Sequence, residues 1–359
     1  MPESSKTALH ETIAAMGGTF KEDGGWFWNQ GFGDWPAEYR AVREDVGVWD
    51  VSALVKWEFR GPDALAAANH VNTNDIASLE PGQVRYGPFM NPDGTMIDEG
   101  TVYVVAPDHV LVMMNGEGYA DYWAEHLGGF DVTITNVTRQ MPHVAIQGPR
   151  SREVVQSLTD TDISGLRYFR FLTDEITLGG ARGRLARTGY SGELGYEFFS
   201  HPDEIATLYT ALIDAGVTPF GVNAVYRLRV EAGFVLNGVD YDGGETNPVD
   251  IGLDRFIKLD SGDFVGRDAL AATIAEGRHV YRTLHFAGDM PDTVAPVLLD
   301  GVRIGTWRTG SDSPLFGNIG GAILEREHAV DGLVVEVDGC PATVMPWGLY
   351  DPEKKRPRS

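Results

Sequence analysis

Alternating hydrophobic and polar positions predict short β-strands mixed with a few helices, without the regular strand–helix alternation of a parallel sheet. The strands predicted before residue 150 are 56–59, 100–105, 109–114, 132–136 and 143–147. The predicted helices are 64–70, 117–127, 204–215, 222–232 and 266–276. Pro107-Asp108 separates two of the strands as a hairpin turn, and Gly216 is expected to end the helix before it. This part of the chain is therefore predicted to be α+β.

The pattern changes after residue 278, where short apolar runs alternate with turn signals. The runs are 281–286, 302–308, 320–324 and 333–337. Asp300-Gly301 and Asp338-Gly339 are dipeptides typical of tight turns between strands. A separate all-β module of about 80 residues is therefore predicted at the C-terminal end.

Charge and cysteine content exclude several classes of protein. The 359 residues include 29 Lys and Arg against 52 Asp and Glu, a formal net charge of −23. Such acidity argues against nucleic acid and anionic membranes as partners, because both are bound through Lys and Arg. The single cysteine, Cys340, excludes an internal disulfide, and the scattered histidines predict no metal site. With no targeting or membrane-spanning pattern, a soluble, cytoplasmic protein is expected.

Two adjacent acids follow a turn in the segment from Tyr86 to Glu99. Asn91-Pro92-Asp93-Gly94 is a turn signal, and Asp98 and Glu99 lie where the next strand begins. Neighbouring strand residues point to opposite faces, so one acid is expected to face inward and the other outward. A buried carboxylate has a raised pKa and can accept a proton. The alternative interpretation is a solvated hairpin end.

Two further segments carry candidate chemistry. Glu197 lies among aromatic residues after a glycine-rich stretch, where a carboxylate suits bidentate hydrogen bonding to a pterin or guanidine edge. The alternative is a surface hairpin. On the helix that follows, Arg227 and Glu231 are spaced as an i, i+4 pair, and Arg229 is free to bind a carboxylate.

Two tryptophans near the N-terminus, Trp26 and Trp28, have two interpretations. Core packing is the simpler one. The other is a pocket lining for an aromatic or cationic substrate, because aromatic faces attract cations.

Taken in order, these segments resemble the aminomethyltransferase family, which includes the glycine-cleavage T-protein and tetrahydrofolate-dependent demethylases. The similarity spans nearly the whole chain. The matching segments are Arg43–Ser52, Thr73–Ile76, Tyr86–Glu99, Ile146–Pro149, Arg187–Glu197, Leu228–Gly233 and Asp263–Arg267.

The resemblance implies a three-lobed α+β fold with a central folate channel and a C-terminal barrel-like or jelly-roll-like β domain. The expected first lobe is discontinuous and comprises residues 1–55 and 140–235. Residues 56–139 form the expected second lobe, 236–277 a connecting segment and 278–359 the β domain.

The resemblance also assigns roles to single residues. Glu99 matches the family's catalytic acid, where the family pattern has Asp, and Asp98 and Tyr190 are the other expected catalytic residues. The expected residues for binding tetrahydrofolate are Glu197 at the pterin edge, Arg229, Tyr86 and Tyr103.

Two departures from the T-protein pattern favour a demethylase that moves a methyl group from a small O-, S- or N-methylated compound to tetrahydrofolate. They are Glu99 in place of Asp, and Ala53-Leu54 where the T-protein has His-Met. In this hypothesis Tyr190 protonates a departing ether oxygen, or Trp26 and Trp28 surround an onium donor. The first alternative is the T-protein itself, which requires a lipoylated carrier protein. The second is a folate-binding accessory protein without catalytic activity.

Overall fold

The computed structural model describes residues 4–359, which form an α+β protein. Its helices are α1 (His10–Ala15), α2 (Trp35–Glu44), α3 (Ala64–His70), α4 (Ala120–Leu127), α5 (Ser151–Ser157), α6 (Ile205–Asp214), α7 (Val222–Ala232) and α8 (Arg267–Glu276). Its strands are β1 (Thr19–Asp23), β2 (Trp26–Gly31), β3 (Gly47–Asp50), β4 (Val55–Arg60), β5 (Val84–Met90), β6 (Met96–Ala106), β7 (His109–Met114), β8 (Thr133–Asn136), β9 (His143–Gln147), β10 (Ile176–Leu178), β11 (Ala181–Ala186), β12 (Gly195–Ser200), β13 (Thr218–Pro219), β14 (His279–Phe286), β15 (Ala295–Leu299), β16 (Val302–Ser313), β17 (Gly317–Glu325), β18 (Val334–Val337) and β19 (Cys340–Met345).

The first lobe contains a six-stranded sheet in the order β10-β11-β12-β9-β3-β13. Its neighbouring strands are antiparallel except for the short parallel pair β3 and β13. Strand β3 comes from the N-terminal part of the chain and pairs with β9, almost 100 residues later. Tyr196 and Phe198 of β12 are fully buried in the hydrophobic core of this lobe. Because side chains alternate along a strand, Glu197 and Phe199 point to the other face.

The second lobe contains an antiparallel sheet in the order β5-β6-β7-β4-β8. Its strand β6 has two distinct faces. Val102 and Val104 belong to the core that contains Trp123 of α4. Tyr103, on the opposite face, packs edge-on against Phe171 and Phe199 from the first lobe, with ring centroids 5.5 and 5.6 Å apart. This face of β6 therefore lies against the first lobe.

The C-terminal strands form a closed antiparallel barrel in the order β14-β17-β16-β15-β18-β19. Trp307 is fully buried in its core, and its indole N–H donates to the carbonyl oxygen of Pro291 at 3.1 Å. The predicted α+β class with an all-β C-terminal domain is confirmed. None of the helices in residues 4–359 has the length and apolarity that crossing a bilayer requires.

Several predicted elements have the predicted bounds, among them α3, α7, β7 and β9. Helix α2 and the hairpin of β1 and β2 were not predicted. The start of α2 nevertheless carries a local signal, because the Asp34 carboxylate accepts from the Ala37 amide at 3.0 Å and Pro36 lies in the first turn.

Candidate functional site

Five side chains line the surface where the two lobes meet. The second lobe contributes Tyr86, Glu99 and Tyr103, and the first lobe contributes Thr188 and Glu197; together they are called the interlobe site. Residues Glu99, 101 and Tyr103 project to one face of β6, and Tyr86 of β5 lies opposite residue 101 on the same face. Tyr103 follows Glu99 by four residues along the strand, which places their Cα atoms about 13 Å apart.

Glu99 is anchored through one carboxylate oxygen. The Tyr241 hydroxyl and the Asn115 side-chain amide both donate to its Oε2 at 2.8 Å. No hydrogen bond within residues 4–359 reaches Oε1, and this oxygen is not among the fully enclosed polar atoms. Burial, followed by the charge of Asp98, raises the pKa of Glu99 well above its usual value. Glu99 can therefore hold or exchange a proton at Oε1.

Asp98 lies next to Glu99 and is saturated with hydrogen bonds. Both of its oxygens accept hydrogen bonds from the loop after β7 and from Asn237. The donors are the backbone amides of Asn115 and Gly116 and the side chains of Asn115, Tyr119 and Asn237. Asp98 is fully buried and Glu99 is 5% exposed. The expectation that one of the two acids faces solvent is therefore wrong. The face of β6 that was expected to be solvated is covered by the first lobe.

Glu197 also keeps one free oxygen. The Thr188 and Tyr103 hydroxyls donate to Oε2, the latter at 3.3 Å, and no hydrogen bond from the described residues reaches Oε1. Burial raises the pKa of Glu197, while these two hydroxyls and the nearby Lys56 ammonium oppose the shift. The interlobe site therefore presents an acidic group near each end.

Lys56 is a fully buried cation close to Glu197. Its Nζ donates to the backbone carbonyls of Ser52 at 2.9 Å and Leu54 at 2.8 Å. Burial lowers the pKa of Lys56 to about 7, although the carboxylates of Asp50 and Glu197 act in the opposite direction. The ammonium group thus partly compensates the buried charge of Glu197 without contacting it.

The two remaining predicted tyrosines differ in their hydroxyl contacts. The Tyr86 hydroxyl has no hydrogen-bond partner within residues 4–359, and its ring packs edge-on against Phe256 at 4.7 Å. The Tyr190 hydroxyl donates to the carbonyl oxygen of Val235 at 2.5 Å, and its ring stacks on Phe234. Because the Tyr190 hydroxyl proton is engaged in this hydrogen bond, the structure favours a structural role for Tyr190 over the predicted role as a proton donor to the substrate.

Arg229 is placed outside the interlobe site. It is 1% exposed, and its Nη1 donates to Asp240 Oδ2 at 2.6 Å and to the carbonyl oxygen of Phe234 at 3.2 Å. The carboxylate that Arg229 contacts is thus an internal one. Its Nε and Nη2 atoms are buried and have no partner within residues 4–359.

The predicted pair of Arg227 and Glu231 does not form. Arg227 pairs with Asp312 and covers the ring of Trp35 at 3.6 Å, whereas Glu231 accepts from Arg43 Nη2 at 2.6 Å. Partners from distant segments therefore replace the neighbour one helical turn away.

Trp26 and Trp28 belong to packed regions. The Trp26 indole N–H donates to Glu117 Oε1 at 2.8 Å, and Arg139 lies 4.9 Å from its ring centroid. Trp28 is half-buried, with its ring 6.1 Å from that of Trp49. The N–H group and one face of Trp26 are thus already in use, which favours the packing interpretation.

Sequence patterns did not identify four of the residues that bind Asp98, Glu99 or Glu197, namely Asn115, Thr188, Asn237 and Tyr241. Only Asn115 carries a local signal, since it is a polar residue directly after the fully buried strand β7. The other three lie in loops, whose contacts depend on the tertiary fold.

The chain belongs to the class of proteins that carry a GCVT domain. The family domain described as "GCVT N-terminal domain" matches residues 9–261. An aminomethyltransferase of Alkaliphilus oremlandii is 34% identical, covering 94% of each chain. One from Herpetosiphon aurantiacus is 33% identical, covering 98% of this chain and 99% of the relative. The crystal structure of the glycine cleavage system aminomethyltransferase T from Bartonella henselae superimposes with a TM-score of 0.85, over 97% and 98% of the two chains at 22% identity.

This chain belongs to the GCVT aminomethyltransferase family, a family of one-carbon transferases. The demethylase hypothesis is wrong, because these near full-length relatives are named aminomethyltransferases, which was the alternative. That hypothesis depended in part on the longer arm of Glu99. In the structure the extra methylene is accommodated, since the Glu99 carboxylate is held by Tyr241 and Asn115.

Proposed function

We propose that this protein is an aminomethyltransferase that passes a one-carbon unit from a lipoylated carrier protein to tetrahydrofolate. The observation that carries the proposal is the interlobe site, where Glu99 and Glu197 each keep one oxygen without a partner among residues 4–359. The names of the near full-length relatives support an aminomethyltransferase activity.

The interlobe site fits the chemistry of a reduced pterin. Glu197 Oε1 is available to accept from an amidine-like N–H edge, while Tyr103 and Thr188 fix the other oxygen. Tyr86 lies on the same face of the sheet, opposite residue 101, which is between Glu99 and Tyr103 along β6. Tetrahydrofolate, when bound, supplies a nucleophilic ring nitrogen for the one-carbon unit.

We assign Glu99 as the acid–base group. Burial raises its pKa, which favours the protonated form that a general acid needs. The nitrogen of an aminomethyl group leaves as ammonia only after it has gained a proton. A carboxyl that holds its proton at Oε1 serves that step, and the hydrogen bonds to Oε2 keep the group oriented.

The decisive experiment is a donor assay. The protein is mixed with tetrahydrofolate and a carrier protein that bears an aminomethyl-lipoyl group, and free ammonia is measured. We expect release that depends on both tetrahydrofolate and the carrier. In parallel reactions, methyl ethers, sulfonium and ammonium compounds replace the carrier. Formation of 5-methyltetrahydrofolate in those reactions, with no ammonia from the carrier, would contradict the proposal.

Glu197→Gln is expected to weaken tetrahydrofolate binding at least about tenfold, because a neutral amide is a weaker acceptor for a pterin N–H group than a carboxylate and can present its NH2 group there instead. Isothermal titration calorimetry measures the dissociation constant. Glu125→Gln is the matched control, since Glu125 is exposed on α4 and its replacement should leave the affinity unchanged. Equal affinities of Glu197→Gln and the wild type would refute the pterin assignment.

A further inference from the structure

Tyr241 makes a hydrogen bond to Glu99 Oε2, which anchors the carboxyl and leaves Oε1 free. Its hydroxyl lies 2.8 Å from Glu99 Oε2 and 3.4 Å from Asp98 Oδ1, and a phenol has only one proton to donate. The shorter distance assigns that proton to Glu99. Tyr241 itself is fully buried, in a hydrophobic cluster with Met96 and Phe264. The phenol is therefore held by packing and directed at the acid.

The turn that carries Tyr241 is fixed from two sides. On one side, Asp240 is fully buried and accepts from Arg229 at 2.6 Å and from Tyr281 of the barrel at 2.6 Å. On the other side, Asn237 donates to Asp98 Oδ1 at 3.1 Å. Within the turn, the Gly238 amide donates to the carbonyl oxygen of Tyr241 at 2.8 Å. A segment anchored to both the barrel and the second lobe leaves the phenol little freedom to move.

We propose that Tyr241 is a positioning residue that holds the Glu99 carboxyl in its reactive orientation and adjusts its acidity. This inference rests on the proposed function and deepens it. A glutamate side chain has three rotatable bonds, so an unanchored carboxyl spends much of its time away from the reacting atoms. Two donors on Oε2 fix the group and leave Oε1 for the substrate.

The direction in which Tyr241 shifts the pKa of Glu99 follows from its role as a hydrogen-bond donor. A hydrogen bond to a carboxylate stabilises its charged form, so the Tyr241 hydroxyl lowers the pKa of Glu99 against the larger effects of burial and Asp98. The titratable groups that face Glu99 are Asp98, Tyr86, Tyr119, Tyr190 and Tyr241. These tyrosines stay neutral around pH 7, because burial raises all of their pKa values.

Tyr241→Phe removes the hydroxyl and keeps the ring. Infrared titration of the free protein follows the carboxyl band that is missing in Glu99→Gln, and we expect the midpoint of this band to rise by about one pH unit in Tyr241→Phe. In the donor assay, the Glu99 limb of the pH–rate profile should move by the same amount. We expect kcat to fall about tenfold, with KM for tetrahydrofolate changed less than about twofold.

Tyr122→Phe is the matched control. Its hydroxyl is half-buried in the same lobe and donates to the carbonyl oxygen of Met90 at 2.6 Å, so the variant loses a similar hydrogen bond without affecting a carboxylate. Its titration and pH profile should match the wild type. An unchanged midpoint in Tyr241→Phe would overturn the inference. Because that titration uses no substrate, a shifted band together with absent ammonia release would contradict the proposed function alone.

A double-mutant cycle gives a second measurement. Glu99→Asp shortens the side chain by one methylene and withdraws the carboxylate from Tyr241. In that background, Tyr241→Phe should lower kcat less than about twofold, compared with about tenfold in the wild type. Equal losses in both backgrounds would show that Tyr241 acts through general packing, which would also overturn the inference.

Discussion

Glu99→Gln is expected to slow ammonia release from an aminomethyl-lipoyl carrier by about a hundredfold or more, the usual contribution of a positioned acid or base. Glutamine has nearly the same shape, and its amide oxygen can accept from Tyr241 and Asn115 as Oε2 does. It cannot exchange a proton, however. Tetrahydrofolate affinity should change less than about threefold, since Glu197 and Tyr103 are untouched. Single-turnover ammonia release and calorimetry measure the two quantities separately.

A rate within tenfold of the wild type would exclude Glu99 as the acid–base group. Melting curves across pH test whether a rate loss comes from unfolding. The folded-state pKa of Glu99 is raised above its ordinary value of 4.5. Such a group contributes stability that is complete below about pH 4.5 and is lost as the pH rises through the folded-state pKa. Since Gln carries no buried charge, the variant should melt at or above the wild-type temperature at alkaline pH.

Local periodicity was sufficient to place the two acids on strands. The turn signal at 91–94 and the strand predicted over 100–105 placed Glu99 at the start of a strand, which in the structure is β6 and begins at Met96. The aromatic neighbours of Glu197 placed it on the strand that became β12. The separate barrel was also predictable, because its turns carry Asp-Gly signals between short apolar runs. These features depend on residues close together in sequence.

The partners of the acids were not predictable in this way. The contacts of Glu99 come from Asn115 and Tyr241, which are 16 and 142 residues away. Arg229 has the residue type expected for a folate carboxylate, but the fold places Asp240 against it. Which carboxylate a buried arginine contacts depends on loop placement, and loop placement leaves no periodic signal in the sequence. Charge alone therefore could not distinguish a ligand-binding arginine from a structural one.

Three of the family segments also converge on a buried ion network that their sequences did not predict. Arg43 lies in the first segment, Glu193 in the glycine-rich one and Glu231 on α7. Arg43 Nη1 lies 3.0 Å from Glu193 Oε1, and Nη2 lies 2.6 Å from Glu231 Oε2. The guanidinium also covers the ring of Tyr350, 3.8 Å from its centroid. This network joins the first lobe to the C-terminal segment.

Arg43→Met is expected to lower the free energy of unfolding by about 3–5 kcal/mol, because it leaves Glu231 as an uncompensated buried charge and Glu193 with Arg356 alone, at 3.3 Å. Both carboxylates are almost fully enclosed, with side-chain exposures of 1% and 0%. Urea denaturation at neutral pH, followed by circular dichroism, gives the value. Arg150→Met removes an arginine whose partners, Asp45 and Glu153, are exposed, and it should leave the midpoint nearly unchanged.

Removing the charge of Glu231 tests why Arg43→Met loses stability. Glu231 accepts from Arg43, Tyr39 and Ser313, and Glu231→Gln keeps an acceptor for the two hydroxyls while removing the charge. Added to Arg43→Met, it should therefore restore part of the lost stability. If the double variant is instead as unstable as the sum of the single variants, lost packing against Tyr350 is the main cause. A recovery would show that the arginine stabilises this junction mainly by neutralising acids that the fold has already buried.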